Sequence, residues 1–236
     1  MIPNPYNGKF IAFEGMDGSG KSKQLEMTEK WLRTLRQTPH RNFVVKTQKE
    51  PGKDRFWGKR IYEELDPKTT TGLPVTNLYG FQSWYAKDSK SHMPDTIRFL
   101  EVGSVVLMDR YRLSMVFGIP QLSTADARIE TLTKLMQLNQ MIVGEHFIWP
   151  DASFIFDVSV ETAIRRLKAK FKEAGRGDFD EHEKADKLEI VRSNYLLFAR
   201  TYPNCHVIDA EGTPEEVFEK IKSIIEPIVS TIHSVI

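Results

Sequence analysis

Phe10-Ile11-Ala12-Phe13-Glu14-Gly15-Met16-Asp17-Gly18-Ser19-Gly20-Lys21-Ser22 is the stretch that decides how the chain folds. The four apolar residues Phe10–Phe13 predict a buried strand. They run into Gly15-x-x-x-x-Gly20-Lys21-Ser22. A helical pattern follows from Lys21 to about Arg36, with Leu25, Thr28, Leu32 and Leu35 on one face and Trp31 beside them. Strand, glycine-rich turn and helix in that order is the context in which this spacing builds a P-loop. Gly15, Gly18 and Gly20 let the backbone close around an anion because no Cβ intervenes. The N–H groups of Gly15, Met16, Asp17, Gly18, Ser19 and Gly20, with the helix N-terminus, offer donors to phosphate oxygens. Lys21 brings a mobile cation to the outer phosphates, and the Ser22 hydroxyl is placed for Mg²⁺.

Outward from this stretch, strands and helices alternate. Phe43–Thr47 reads as a second strand, followed by Glu50-Pro51-Gly52 at its C-terminal end, with Lys49, Lys53 and Arg55 adding positive charge. Arg55–Leu65 reads as a helix and Asp66–Pro74 as a polar loop. A long helical tract spans about Asn77 to Val102, interrupted by Pro94. Ser104–Met108 is a third strand that ends in Asp109-Arg110-Tyr111. Thr124–Met141 is helical, and Ser153–Val158 is a fourth strand. Ser159 is placed as the N-cap of a helix to about Phe171. Glu173–Lys184, charged and weakly apolar, reads as a mobile loop. A helix then runs to about Tyr202, with Leu188, Val191, Tyr195 and Phe198 correctly spaced. His206–Ile208 is a fifth strand. Thr213-Pro214-Glu215-Glu216 is a capping box for a last helix that Pro227 breaks or kinks, and the apolar tail Ile228–Ile236 packs on the body. The alternation predicts an α/β fold with a parallel, doubly wound sheet covered on both faces.

The bulk numbers agree with one α/β domain spanning 1–236. The chain has 236 residues, 40% hydrophobic and 28% charged, which is ordinary for a soluble globular protein. Its net charge of +1 shows no basic excess of the kind a nucleic-acid groove needs, so phosphate binding has to be local. Cys205 is the single cysteine, which fits a reducing, cytoplasmic setting. No apolar run approaches the roughly 20 residues of a membrane span, and the N-terminus lacks the features of a signal peptide. The histidines are scattered without metal-ligand spacing.

Each candidate site residue has two readings. Asp109, after four apolar strand residues, has the form of a carboxylate that meets Mg²⁺ or its water; the other reading is a helix N-cap. Arg110 is a bidentate phosphate clamp or a surface ion pair. Glu50 faces a cationic substrate site or is a turn residue before Pro51. Arg176, in Gly175-Arg176-Gly177, closes over the transferring phosphoryl group or is solvated charge. Phe81, Trp84 and Tyr85 stack on a base or belong to the core.

Together these residues resemble the thymidylate kinase family of P-loop nucleoside monophosphate kinases. The resemblance rests on Phe10–Gln24, Lys49-Glu50-Pro51-Gly52, Asp109-Arg110-Tyr111-x-x-Ser114, Pro150-Asp151 through Asp157-Val158, and Tyr202–Ala210. It covers nearly the whole chain. It implies a three-layer fold with a five-stranded parallel sheet, a lid at about 173–184, and transfer of the ATP γ-phosphate to dTMP with Mg²⁺. By resemblance, Lys21, Arg110, Asp17 and Arg176 are the catalytic set. Gly15 to Ser22 hold the ATP phosphates, and Ser22, Asp17 and Asp109 serve Mg²⁺. Glu50, Pro51, Tyr85, Ser89, Arg110 and Ser114 form the acceptor site, Tyr85 by stacking on the base. A homodimer is implied as well.

Three departures stand out. Ser89 occupies the family's base-reading arginine position in Tyr85-Ala86-Lys87-Asp88-Ser89-Lys90-Ser91-His92, with Lys87 and Lys90 as possible substitutes. The sugar-shielding aromatic falls on Gly118, with Phe117 beside it. The lid reads Asp180-Glu181-His182-Glu183, one arginine short. Two other readings remain open: a kinase of another nucleoside monophosphate or of a deoxynucleoside, with Glu50 as base, and an inactive nucleotide-binding module. No Asn-Lys-x-Asp stretch supports a guanine-nucleotide switch.

Overall fold

The computed structural model of the protein describes residues 2–35, 43–119, 124–173 and 181–232. Five parallel strands, β1 (Lys9–Gly15), β2 (Val45–Lys49), β3 (Val105–Asp109), β4 (Ala152–Asp157) and β5 (Cys205–Asp209), lie in the order β2-β3-β1-β4-β5. β1 is central. Its apolar residues are almost completely buried because strands pair on both sides and helices cover both faces. The expected parallel, doubly wound sheet is therefore present.

The helices are α1 (Lys21–Leu35), α2 (Phe56–Leu65), α3 (Leu73–Thr76), α4 (Leu78–Glu101), α5 (Ala125–Val143), α6 (Val160–Glu173), α7 (Glu181–Thr201) and α8 (Pro214–Ser230). α1 packs on β1, β2 and β3 and beside α8. α4 packs on β3 and carries α2 and α5 against it, and α7 lies over β4 and β5. A 3₁₀ turn, Arg112–Gly118, follows β3.

Several boundaries move from where the sequence puts them. The second strand begins at Val45 and ends at Lys49, not at Phe43 and Thr47. β2 is an edge strand whose register is set by β3, pairing Val45 with Val105 and Lys49 with Asp109. Phe43 joins the core from outside the strand, while Val44 is exposed. Pro94 does not interrupt α4, since Met93, Ile97 and Leu100 bury the helix on both sides of it. Pro227 likewise lies within α8, and Val229 beyond it is buried. The polar loop holds over Asp66–Gly72, and its last two residues, Leu73 and Pro74, open the short helix α3. There, buried Glu64 accepts hydrogen bonds from the Thr71 and Leu73 N–H groups, both at 2.9 Å. Of the expected loop Glu173–Lys184, Glu173 ends α6 and Glu181 to Lys184 begin α7, while 174–180 lie outside the described residues. Arg36, Arg176 and the end of the apolar tail lie outside the described residues, whereas Ile228 and Ile232 pack on the core.

Two caps form as read. The Ser159 Oγ accepts from the Thr162 N–H at 3.2 Å, and both hydrogen bonds of the Thr213/Glu216 box are made.

Candidate active site

β1, β2 and β3 end side by side, so Gly15, Lys49 and Asp109 reach the same edge of the sheet. Two cavities open there. One, of about 650 Å³, is walled by Met16 to Lys23 of the P-loop and by Arg166, Leu167, Lys170 and Phe171 of α6. The other, of about 390 Å³, includes Glu50, Pro51, Gln82, Tyr85, Ser114 and Phe117 in its wall. Asp17, Lys49, Tyr62 and Arg110 line both, so the two cavities meet at these four side chains.

The P-loop takes its shape from its glycines. Gly18 has φ +84°, and a Cβ there would lie 2.5 Å from the Ala163 carbonyl oxygen. That combination admits glycine alone and draws the loop against α6. The Ser19 Oγ is buried without a hydrogen-bond partner, and Ser22 is exposed on the cavity wall. A loop closed this tightly, with an orphaned hydroxyl and Lys21 at the helix start, fits a nucleotide's phosphates.

Lys21 is buried and ion-paired with Asp109. Lys49 approaches the other carboxylate oxygen at 3.3 Å. Burial pushes the Asp109 carboxyl up, but Lys21 and Lys49 outweigh it and hold it below the ordinary range. Burial and the nearby Arg110 pull Lys21 down, against the pull of Asp109. Among the described residues no cluster of three or more His, Cys, Asp and Glu side chains could hold a metal ion. The oxygen donors present, Ser22, Asp17 and Asp109, suit a hard cation that also rides on phosphates.

Arg110 is the hinge of the site. It stands at φ +67°, a left-handed conformation that costs a non-glycine residue about 1–2 kcal/mol. Its N–H donates to the Phe13 carbonyl at 2.9 Å, which holds the turn. Nη1 donates to the Gly15 carbonyl at 2.9 Å and Nη2 to Asp17 at 2.6 Å, with the guanidinium over the Phe117 ring at 4.5 Å. Strain of this kind, sustained by its surroundings, gathers at functional sites.

Glu14, fully buried at the end of β1, accepts from the Tyr111 N–H at 2.8 Å, the Ser114 hydroxyl at 2.6 Å and the Tyr195 hydroxyl at 3.1 Å. Burial raises its pKa despite these donors. Glu50 is gripped from two elements: His92 Nε2 of α4 lies 2.8 Å from one carboxylate oxygen, and Arg112 Nη1 lies 3.6 Å from the other. Burial would raise Glu50, but Arg112 and His92 win and hold it low.

Of the residues singled out from sequence, the two cavities gather Gly18, Ser19, Gly20, Lys21, Ser22, Met16, Asp17, Glu50, Pro51, Tyr85, Arg110 and Ser114. Gly15 sits behind them, bonded to Arg110. Ser89 is completely buried and lines neither cavity. Trp84 and Phe81 are also outside the wall; Trp84 faces Trp57 and Arg60 on the surface. Phe117 stands in the wall beside Gly118, where a Cβ would strike Gln82 at 2.2 Å. Arg55 is taken up by Asp88 through bonds of 2.9 and 2.6 Å. Sequence reasoning missed Glu14, Tyr195, Arg112 and Arg166. Arg166 donates to the Ala210 carbonyl at 3.0 Å beside the P-loop. Tyr195 carries only the signal of a core residue, which it also is, and no spacing in the sequence connects it to β1.

The chain matches the family model described as thymidylate kinase over residues 13–221. It is 35% identical to the thymidylate kinase of Caldicellulosiruptor saccharolyticus, covering 94% of this chain and 98% of the relative. It is 32% identical to the thymidylate kinase of Nitratidesulfovibrio vulgaris, over 94% and 97%. To a probable thymidylate kinase of Pyrococcus abyssi it is 31% identical, over 93% and 96%. With a P-loop cavity joined through Asp17 and Arg110 to a second cavity, and a sequence matched over residues 13–221, this chain belongs to the thymidylate kinase family.

Proposed function

We propose that the protein transfers the γ-phosphate of ATP to dTMP, giving ADP and dTDP. The observation that carries this reading is the meeting of the two cavities at Asp17 and Arg110. ATP occupies the P-loop cavity and the acceptor nucleotide the other, with its phosphate toward Arg110. An acceptor phosphate oxygen attacks the γ-phosphorus. The bond from that phosphorus to the β–γ bridging oxygen breaks, and ADP leaves with the electron pair. The nucleophile is already an anion, so the chain's task is positioning and charge neutralisation. Lys21 exchanges Asp109 for phosphate oxygens, and Arg110 aligns the acceptor. Ser22, Asp17 and Asp109 are the residues that would hold Mg²⁺, which would supply further charge neutralisation. Tyr85 stacks on the base and Ser114 lies near it, while Glu50 and Pro51 shape the acceptor wall. Arg176, in a lid at about 173–184 of this single domain, adds positive charge over the transferring group. The protein works in the cytoplasm, where its one cysteine stays reduced, and pairs into a homodimer; sedimentation velocity at micromolar concentration checks the dimer.

The test is ADP release with ATP and Mg²⁺, using dTMP, dUMP, UMP, CMP, dGMP and thymidine as separate acceptors. A clear preference for dTMP is expected. Equal or better use of another acceptor would reassign the substrate, and thymidine turnover would point to a nucleoside kinase with Glu50 as base.

A further inference from the structure

Ser89 leaves open which group reads the base, and the cavity wall supplies one. We propose that Arg112 is the base-reading residue of this chain, donating hydrogen bonds to a carbonyl oxygen of the acceptor's pyrimidine. The inference rests on assigning the Tyr85 cavity to the acceptor nucleotide.

Arg112 opens the 3₁₀ turn after β3, lines that cavity and is only 2% exposed. Its guanidinium lies over the Tyr111 ring at 4.1 Å and faces Phe147 at 5.0 Å, which fixes its plane. Its nearest carboxylate, Glu50, is 3.6 Å away, too far for a good hydrogen bond. Nε and Nη2 have no hydrogen-bond partner at all. A buried guanidinium with idle donors calls for a partner, and on a cavity wall a ligand's carbonyl oxygen is one that would complete it.

The other cations of the wall are committed. Arg110 holds Gly15 and Asp17, and Lys49 faces Asp109. The substitutes considered from sequence do not reach the cavity: Lys87 lies over the Trp57 ring at 4.4 Å, and Lys90 is exposed. Arg112 approaches the Glu50 carboxylate from the turn after β3, while His92 of α4 holds its other oxygen. Opposite in polarity, Asn139 of α5 lines the same cavity, 3% exposed, with its Oδ1 unpartnered. A pyrimidine-2,4-dione presents carbonyl acceptors on either side of an N–H donor. Arg112 supplies donors and Asn139 an acceptor, which is the complement of that edge. With the 4-carbonyl as Arg112's acceptor, an aminopyrimidine, which keeps only its 2-carbonyl, turns its amine toward Arg112 and leaves these N–H groups idle, a mismatch that polar sites punish heavily.

The experiment compares wild type, Arg112→Met, Arg112→Lys and the double variant Ser89→Arg/Arg112→Met. For each, kcat and KM are measured with dTMP, dCMP and ATP, alongside circular dichroism and melting temperature. Wild-type preference for dTMP over dCMP is expected to fall on the order of tenfold to a hundredfold in Arg112→Met. The KM for ATP should stay within about twofold, since the lost contact is to the acceptor alone. Arg112→Lys should lose most of the preference as well, because an ammonium keeps the charge beside Glu50 but not the planar fork. Recovery of preference in the double variant would support the assignment directly. A folded Arg112→Met, or Arg112→Lys should Arg112→Met not fold, that keeps the wild-type dTMP-to-dCMP ratio would overturn it, even if kcat fell for both acceptors. Wild-type protein that binds ATP but never phosphorylates dTMP would instead overturn the reading beneath it.

Discussion

Lys21 and Glu14 show how single residues carry the site. Lys21 joins the P-loop to the end of β3 through Asp109, beside the Arg110 bonds to Gly15 and Asp17. Lys21→Ala removes charge neutralisation at the outer phosphates, and turnover is expected to fall by about three orders of magnitude or more with circular dichroism unchanged. Near-normal turnover in that variant would show that the P-loop is not where transfer occurs. Glu14 makes a pH prediction. Its folded pKa is raised above 4.5, first by burial, so its contribution to stability is full below the unfolded value and is lost as pH rises through the folded value. Glu14→Gln lacks that loss. Melting curves at pH 5 and pH 8 should therefore show the variant gaining on wild type as pH rises. Asp109 carries the opposite sign. Its folded pKa is depressed, so its contribution is present above about pH 4 and fades as pH falls through the folded value.

Among elements, the P-loop against α6 is the tightest fit. Gly18→Ala places a Cβ on the Ala163 carbonyl at positive φ, and a destabilisation of about 1–3 kcal/mol is expected by denaturant titration, together with weaker ATP binding. α8 offers a control far from the chemistry. Thr213→Ala removes the Oγ1 that accepts from the Glu216 N–H while leaving the Thr213 backbone N–H to donate to Glu216, costing about 1 kcal/mol. For a chain of this length that lowers the melting temperature by about 2–4 °C, with kcat unchanged. The elements were largely readable in advance because apolar periodicity and caps are local. β1, α1 and the Thr213 box declare themselves within a few residues. β2 was displaced because an edge strand needs few apolar residues and takes its register from β3, which no local window reveals. Pro94 misled for a related reason: burial of Met93 and Ile97 by other elements holds α4 through the missing hydrogen bond.

In the whole molecule, the strand order gathers what the chain disperses. Glu14, Ser114 and Tyr195 lie on three elements yet share one hydrogen-bonded group beneath Arg110. The motif residues of the site were legible because phosphate chemistry demands particular types at particular spacings. Tyr195 and Arg112 were not, since their roles come only from where α7 and the turn after β3 meet β1 and β2. The claim at this scale is direct transfer between two adjoining cavities. A rapid-quench single turnover tests it most directly, with excess enzyme, ATP labelled at the γ-phosphorus, Mg²⁺ and dTMP. The account predicts that the label appears in the terminal phosphate of dTDP as fast as ATP disappears, with no labelled enzyme and no free phosphate. Label released as inorganic phosphate, or retained in ATP while dTMP stays intact, would contradict it.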